Sequence, residues 1–249
     1  MPVLHVCHLG PLGYREGLEL QEALVEARAA GVTGDWVLFP DHPPVLTVGR
    51  NPSEGALLAS PDTLRERGIE VFEVRRGGDI TWHGPGQLVG YPIFDLTPRN
   101  RDLHKFLRSI EQVLIATLAA YGIEGVRSSG RTGVWVGSEK VASIGIAVRR
   151  WVSYHGFALN VEPDLAGFEV IHPCGLDGVR MTSMAVLRGK DAPGLGEVRE
   201  RVVREIAAEF GYPEVVQVPA ARAWEVAGSV RPRNPARADD LPTTGEIQT

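Results

Sequence analysis

Residues 172–176 read His-Pro-Cys-Gly-Leu, and Cys174 at their centre is one of only two cysteines in a chain of 249 residues. A cysteine kept for packing behaves as a small hydrophobe inside a strand or helix. Cys7, in the apolar opening VLHVCHL, fits that description. Cys174, set between a proline and a glycine where a turn offers little to pack on, fits a reactive thiol instead. A thiol with pKa near 8.5 is only a few per cent ionised at neutral pH, so a nucleophilic cysteine needs a partner. Lysine is scarce: Lys105, Lys140 and Lys190 are the three, leaving 23 of the 26 basic residues as arginine. Arginine does not deprotonate in a protein, whereas a desolvated lysine can act as a base. Lys140 heads the segment KVASIGIAV and shares strand parity with Ile144, Ile146 and Val148. Two readings stand for it. It is a strand-end lysine reaching out to water, or it is drawn inward, where it takes a proton from a thiol or, charged, stabilises the thiolate.

The segment RRGGDITWHGPGQ, Arg75 to Gln87, carries four glycines and a proline after a strand. It reads as a loop whose bare backbone lets a ligand chain approach closely. It matches neither the dinucleotide fingerprint nor the phosphate loop. On composition alone a surface hairpin loop is the alternative, although such a loop has little use for both Trp82 and His83. In WVSYHGFALNV, His155, Phe157 and Leu159 share a face. His155 reads as a satisfied strand histidine, and Gly156 marks a bulge or a close backbone approach. The seven histidines and two cysteines show no zinc-like spacing, so no metal site is expected.

Several elements must position these groups. YREGLELQEALVEARAAG places Leu20, Ala23, Leu24 and Ala27 at helical spacing, with Gly31 as a stop. DWVLFP and PVLTVGR read as strands split by the turn DHPP. SPDTLRERG is a short helix capped by Ser60, with Pro61 in its first turn and Gly68 at its end. IEVFEVRR and LVGYPIFDL are strands. The longest helix, DLHKFLRSIEQVLIATLAAYG, buries Leu103, Phe106, Leu107, Ile110, Val113, Leu114 and Leu118. TGVWVG, KVASIGIAVRR and WVSYHGFALNV follow as an antiparallel meander, and GEVRERVVREIAAEFG is a late amphipathic helix. Strands and helices mix without a strict βαβ rhythm, which predicts a single α+β domain with a mixed or antiparallel sheet flanked by helices. Residues 1–227 form that domain in this reading, and residues 228–249, poor in apolar side chains, a flexible tail.

The net charge of −5 gives no reason to expect nucleic acid. No apolar run approaches the ~18 residues that span a bilayer, and the start lacks a signal-peptide pattern. A cytoplasmic location with free thiols is the expectation. LPTTG, Leu241 to Gly245, is rejected as a cell-wall sorting signal because only Glu-Ile-Gln-Thr follows it.

Taken together, RGGDITWHGPGQLVGYPI, EKVASIGIAVRRWVSYHGFALNV and HPCGL resemble the lipoyl(octanoyl) transferases, also called the lipoate–protein ligase B family. The resemblance covers roughly residues 1–215. It implies the α+β catalytic domain shared by lipoate and biotin protein ligases. It implies Cys174 as the acyl-thioester nucleophile and Lys140 as the residue that lowers the thiol pKa and serves as general base. Arg76, Gly77, Gly78, Asp79, Ile80, Thr81, Trp82 and His83 match the family's substrate-binding segments, as do Ser143, Ile144, Gly145, Gly156, Phe157 and Ala158. The implied donor is acyl carrier protein. The implied acceptors are lipoyl domains of 2-oxoacid dehydrogenases and the glycine cleavage H protein. No cofactor, nucleic acid or membrane is implied, and a monomer is expected. Arg75, Arg76, Arg149 and Arg150 are candidates for a basic docking patch, or else ordinary solvated arginines. The competing functions are an ATP-dependent lipoate–protein ligase, a protein-to-protein octanoyl amidotransferase and a non-catalytic acyl-chain binder.

Overall fold

The computed structural model describes residues 2–172 and 179–229. In chain order the described residues form β1 (Val3–Pro11), α1 (Tyr14–Ala29), β2 (Asp35–Asp41), β3 (Val45–Val48), α2 (Pro61–Glu66), β4 (Glu70–Glu73), β5 (Ile80–His83), β6 (Gln87–Ile93), α3 (Leu103–Ala119), β7 (Val126–Ser128), β8 (Arg131–Val136), β9 (Glu139–Arg149), β10 (Val152–Asn160), α4 (Met184–Arg188), α5 (Leu195–Phe210), β11 (Glu214–Gln217) and α6 (Ala220–Gly228).

Local chemistry explains the boundaries. The Ser60 hydroxyl accepts the Thr63 N–H and Pro61 opens α2, where its missing N–H costs nothing. Asp102 caps α3 by accepting the Lys105 N–H at 2.8 Å. Gly31 and Gly122, just past α1 and α3, sit at φ of 73° and 69°. A glycine enters that region without the steric cost of a Cβ.

Among the described residues, eight strands form one sheet in the order β11-β1-β2-β6-β10-β9-β8-β7, and β4-β3-β5 form a second. In the large sheet β1 runs parallel to β2 and β11, and the remaining pairs are antiparallel. Strand alternation sends Val37 and Phe39 to one face and Trp36 and Leu38 to the other. Helices α3 and α5 cover the first face through Phe106, Ile110, Leu114, Val198, Val202 and Ile206. Helices α1 and α6 cover the second through Leu20, Leu24, Ala223 and Val226. Each valine, leucine, isoleucine or phenylalanine among them contributes roughly 1.5–3 kcal/mol of transfer free energy. The α+β expectation holds, as does the meander β8-β9-β10.

Two local expectations change. DWVLFP and PVLTVGR are not partners across a turn: β2 pairs with β1 and β6, while β3 leaves for the small sheet. Ile80–His83 is a strand rather than loop, because its backbone pairs antiparallel with β3, Thr81 opposite Thr47. Helix α6 (Ala220–Gly228), an element the sequence did not mark, closes the described C-terminal part. Residues 230–249 and residues 173–178, which include Cys174, lie outside the described residues. No helix among the described residues is long and apolar enough to cross a membrane.

Candidate functional site

The glycine loop is welded to both sheets by its own backbone. Arg76 is buried, 7% exposed, and fixes the loop to β3: its Nε and Nη2 donate to the Thr47 hydroxyl at 3.0 and 2.9 Å. The Gly77 N–H donates to Ile146 O on β9 at 3.0 Å, and the Gly49 N–H to Asp79 O at 3.0 Å. These approaches need bare glycine. A Cβ on Gly145 would lie 2.9 Å from Gly77 O and 3.0 Å from Arg76 Cδ. A Cβ on Gly156 would be driven into the backbone carbonyl of Gly90, so Gly156 marks a close approach of β10 to β6 rather than a bulge.

Between loop and meander lies a cavity of about 510 Å³, within the usual size range of small-molecule pockets. Its lining includes Arg76, Gly78, Asp79, Ile80, Thr81 and His83 from the loop and β5, Lys140, Ser143, Ile144 and Gly145 from β9, and Gly156, Phe157 and Ala158 from β10. Gly77 contributes its backbone to β9 instead. Trp82 points away: alternation along β5 turns its ring into a third core cluster against Phe168, with ring centroids 5.3 Å apart. Reading the segment as loop hid that alternation.

Lys140 is 3% exposed, so it is drawn inward rather than reaching to water. Its Nζ lies 5.6 Å from the ring centroid of Trp135, its partner on β8, a cation–π arrangement. Its backbone is held on the other side: the Lys140 N–H donates to Arg180 O and its carbonyl accepts the Thr182 N–H, both at 2.9 Å. Space for the side chain comes from Gly133, at φ 124°, where a Cβ would lie 2.7 Å from Lys140 Cε and 2.5 Å from Ala142 O. Gly133 is anchored through its N–H to Glu111 Oε1 at 3.2 Å. That carboxylate, 1% exposed, is clamped by Arg108 at 2.7 Å and Arg127 at 3.0 Å.

Away from Lys140 the cavity is lined by Tyr14, Tyr91 and His155, which nothing in the motifs marked as ligand-facing. His42 donates from Nδ1 to Leu12 O at 2.8 Å, so its Nε2 accepts the Tyr91 hydroxyl at 2.8 Å. His83 donates from Nδ1 to Gln87 Oε1 at 3.2 Å, and Gln87 is oriented by donating to Trp82 O and Asn160. Burial, reinforced by the Arg76 charge, pushes the pKa of His83 and of His155 down to about 3, so both imidazoles are neutral at ordinary pH. Cys7, by contrast, is fully buried in β1, and desolvation raises its thiol to about 11, as befits a packing cysteine.

Arg149 and Arg150 sit at the opposite end of β9 from Lys140. Arg149 lies 3.3 Å from Glu26 and 3.9 Å from Glu22, and Arg150 lies 3.0 Å from Glu26. Acidic side chains of α1 thus counter the charges expected to form a docking patch.

Comparison with known proteins agrees with this architecture. Residues 13–207 match the family Lipoyl protein ligase A/B catalytic domain. The octanoyltransferase of Acidobacterium capsulatum is 46% identical over 222 residues, covering 84% of this chain and 89% of its own. That of Solibacter usitatus is 48% identical over 204 residues, covering 82% and 91%. A putative lipoate protein ligase from T. acidophilum with bound lipoic acid superposes with a TM-score of 0.72 at 16% identity, covering 92% of this chain and 94% of its own. A lipoate-protein ligase A bound with ATP gives 0.68 at 16%, covering 92% and 93%. These latter two likenesses speak for the fold. The chain therefore belongs to the lipoyl protein ligase A/B catalytic domain family, with octanoyltransferases as its relatives in sequence.

Proposed function

We propose that this enzyme carries an octanoyl or lipoyl group from the thioester of acyl carrier protein, through a thioester on Cys174, to the lysine amine of a lipoyl domain. The observation that supports it best is a buried lysine beside a cavity whose walls include Ile80, Ile144, Phe157 and Ala158 and bare glycine backbone. In the first step the Cys174 sulfur bonds to the acyl carbon, the carbonyl becomes an oxyanion, and its collapse expels the carrier thiol. Lys140 takes the Cys174 proton and returns it to the departing sulfur. In the second step the acceptor amine attacks the new thioester, and Cys174 leaves as Lys140 removes the amine proton. Thioester exchange is close to neutral in free energy, whereas thioester to amide is downhill, so no ATP is consumed. Arg76, Gly78, Asp79, Ile80, Thr81 and His83, with Ser143 to Gly145 and Gly156 to Ala158, hold the acyl chain in this reading.

Intact-protein mass spectrometry after mixing with octanoyl-carrier protein tests it, using wild type, Cys174→Ala and Lys140→Ala. The expected result is one octanoyl adduct on wild type, removed by hydroxylamine, absent from Cys174→Ala and slow to form in Lys140→Ala. An adduct on Cys174→Ala equal to wild type would overturn the covalent route. Transfer that requires free octanoate and ATP would favour the ligase alternative.

A further inference from the structure

Lys140 owes its place to a stretch of chain outside the large sheet. The register of β8 and β9 slips by one residue beside it, with Val134 facing Ala142 but Trp135 facing Lys140. A bulge of that kind bends a strand and re-aims its side chains. At the bulge the Lys140 backbone is gripped by a strap, Arg180–Thr182, through an isolated bridge to Met181 and the two 2.9 Å bonds to Arg180 and Thr182. The strap belongs to no helix or extended strand, so its own backbone does not fix where it lies. A side chain does: Asn160, at the end of β10, donates from Nδ2 to Thr182 O at 2.9 Å.

Asn160 is itself set by Gln87, its cross-strand partner on β6. Gln87 gives its amide hydrogens to Trp82 O at 3.2 Å and to Asn160 Oδ1 at 2.9 Å. The Asn160 amide therefore sits one way round, oxygen toward Gln87 and nitrogen toward the strap. With His83 donating to Gln87 Oε1, every bond runs in one direction, from His83 through Gln87 and Asn160 to Thr182, so that each polarises the next. Gln87 and Asn160 are 4% and 1% exposed, and neither is among the residues lining the cavity. They do not meet the acyl chain, and an apolar pair would fill the same space without needing hydrogen-bond partners. What the amides add is a fixed position for the Thr182 carbonyl. We propose that Asn160 is a positioning residue for Lys140, acting through the strap, and that Gln87 sets the direction of its amide. The proposal rests on the reading of Lys140 as the general base, which must stand within hydrogen-bond reach of the proton it takes. A misplacement of about 1 Å, caused well away from the chemistry, can slow a reaction by about 10²-fold.

The test is a double-mutant cycle on single-turnover formation of the octanoyl adduct from octanoyl-carrier protein, for wild type, Asn160→Ala, Lys140→Ala and the double variant. Asn160→Ala is expected to slow the step by about 10- to 10²-fold, with the half-saturating carrier concentration changed by less than about 2-fold. In the Lys140→Ala background the same substitution should cost no more than about 2-fold, because no amine is left to misplace. A merely structural defect would slow both backgrounds equally; that result, or a wild-type rate in Asn160→Ala, would overturn the proposal. Gln87→Glu keeps the test open if Asn160→Ala folds poorly. It has nearly the shape of glutamine and still accepts from His83, but it has no hydrogen for Asn160, whose amide then turns its oxygen toward Thr182 O; the same loss, dependent on Lys140, is expected. Amide hydrogen exchange reads the strap directly. The Lys140 and Thr182 N–H groups should exchange at least about 10-fold faster in Asn160→Ala while β6 keeps its protection, and unchanged protection would overturn the anchor. If wild type forms no adduct, the covalent route falls, and the exchange result alone upholds or overturns Asn160 as the anchor of the strap.

Discussion

Gly133→Ala probes how Lys140 is seated. At φ 124° the backbone is in a region that L side chains rarely adopt, with a strain of about 1–3 kcal/mol for a non-glycine residue. The new methyl would lie 2.5 Å from the carbonyl oxygen of Ala142, a backbone atom of the neighbouring strand that has little freedom to retreat, and 2.7 Å from Lys140 Cε, which can. The lysine stem therefore moves and its Nζ leaves its place over Trp135. In a domain of this size the strain lowers the melting temperature by roughly 2–12 °C. General base catalysis contributes about 10²–10⁴-fold, so the displaced lysine should slow acyl-enzyme formation by at least about 10-fold, with the Lys140→Ala loss as its ceiling. Gly137→Ala is the control. Its φ is 58° and nothing lies within 4 Å of the added methyl, so it carries backbone strain without occlusion. Thermal unfolding and single-turnover mass spectrometry read both effects. If Gly133→Ala loses no more activity than Gly137→Ala, Gly133 is not what makes room for the lysine.

Removing the buried carboxylate in Glu111→Ala strands the Gly133 N–H and frees Arg108 and Arg127; because these arginines are 58% and 38% exposed and can rehydrate, the expected loss is only about 1–3 kcal/mol in urea unfolding. His83 and His155 take up protons near 6.5 when unfolded but only near 3 when folded, so the unfolded chain binds more protons between those values and stability falls as pH drops below about 6.5. At pH 5 each should cost on the order of 1–2 kcal/mol relative to pH 7.5; urea midpoints that do not fall, or a His155→Leu variant with an undiminished fall, would contradict this. Charge reversal at Arg149 and Arg150, already paired with Glu22 and Glu26, should leave the KM for carrier protein unchanged in low salt. A raised KM would restore the docking patch.

What could be read from the chain followed signals of short range. Cap and stop placed α2 because Ser60 and Gly68 act on their own neighbours. Strand parity put Lys140 on an apolar face but left open whether it reaches out to water or turns inward; its burial at 3% exposure settles that it turns inward. The small sheet was hidden because β5 has only four residues among glycines and owes its strand state to β3, 34 residues earlier at Thr47 opposite Thr81. Thr47 itself, the anchor of Arg76, carries no local mark of that role. Tyr14 and Tyr91 were equally invisible, as one opens a helix and the other reads as an ordinary buried strand residue. His155 looked like a strand histidine, which it is; its positive φ and unpaired nitrogen arise only when α1 and β6 meet β10.

The cavity lies between two separately hydrogen-bonded sheets, which predicts that its walls open as different cooperative units. The large sheet is closed on both faces by helices, while β4, at the rim of the small one, has three of its four residues exposed. Opening such a unit has a free energy well below that of global unfolding. A local opening of the small sheet would part the seam where the Gly77 N–H meets Ile146 O, without unfolding the large sheet. Amide hydrogen exchange would show this as rapid labelling of β4 and of Gly77 while β6 and β10 stay protected. The same division makes the small sheet the natural place for mutations that alter the rate of substrate entry while sparing the thermal stability of the whole.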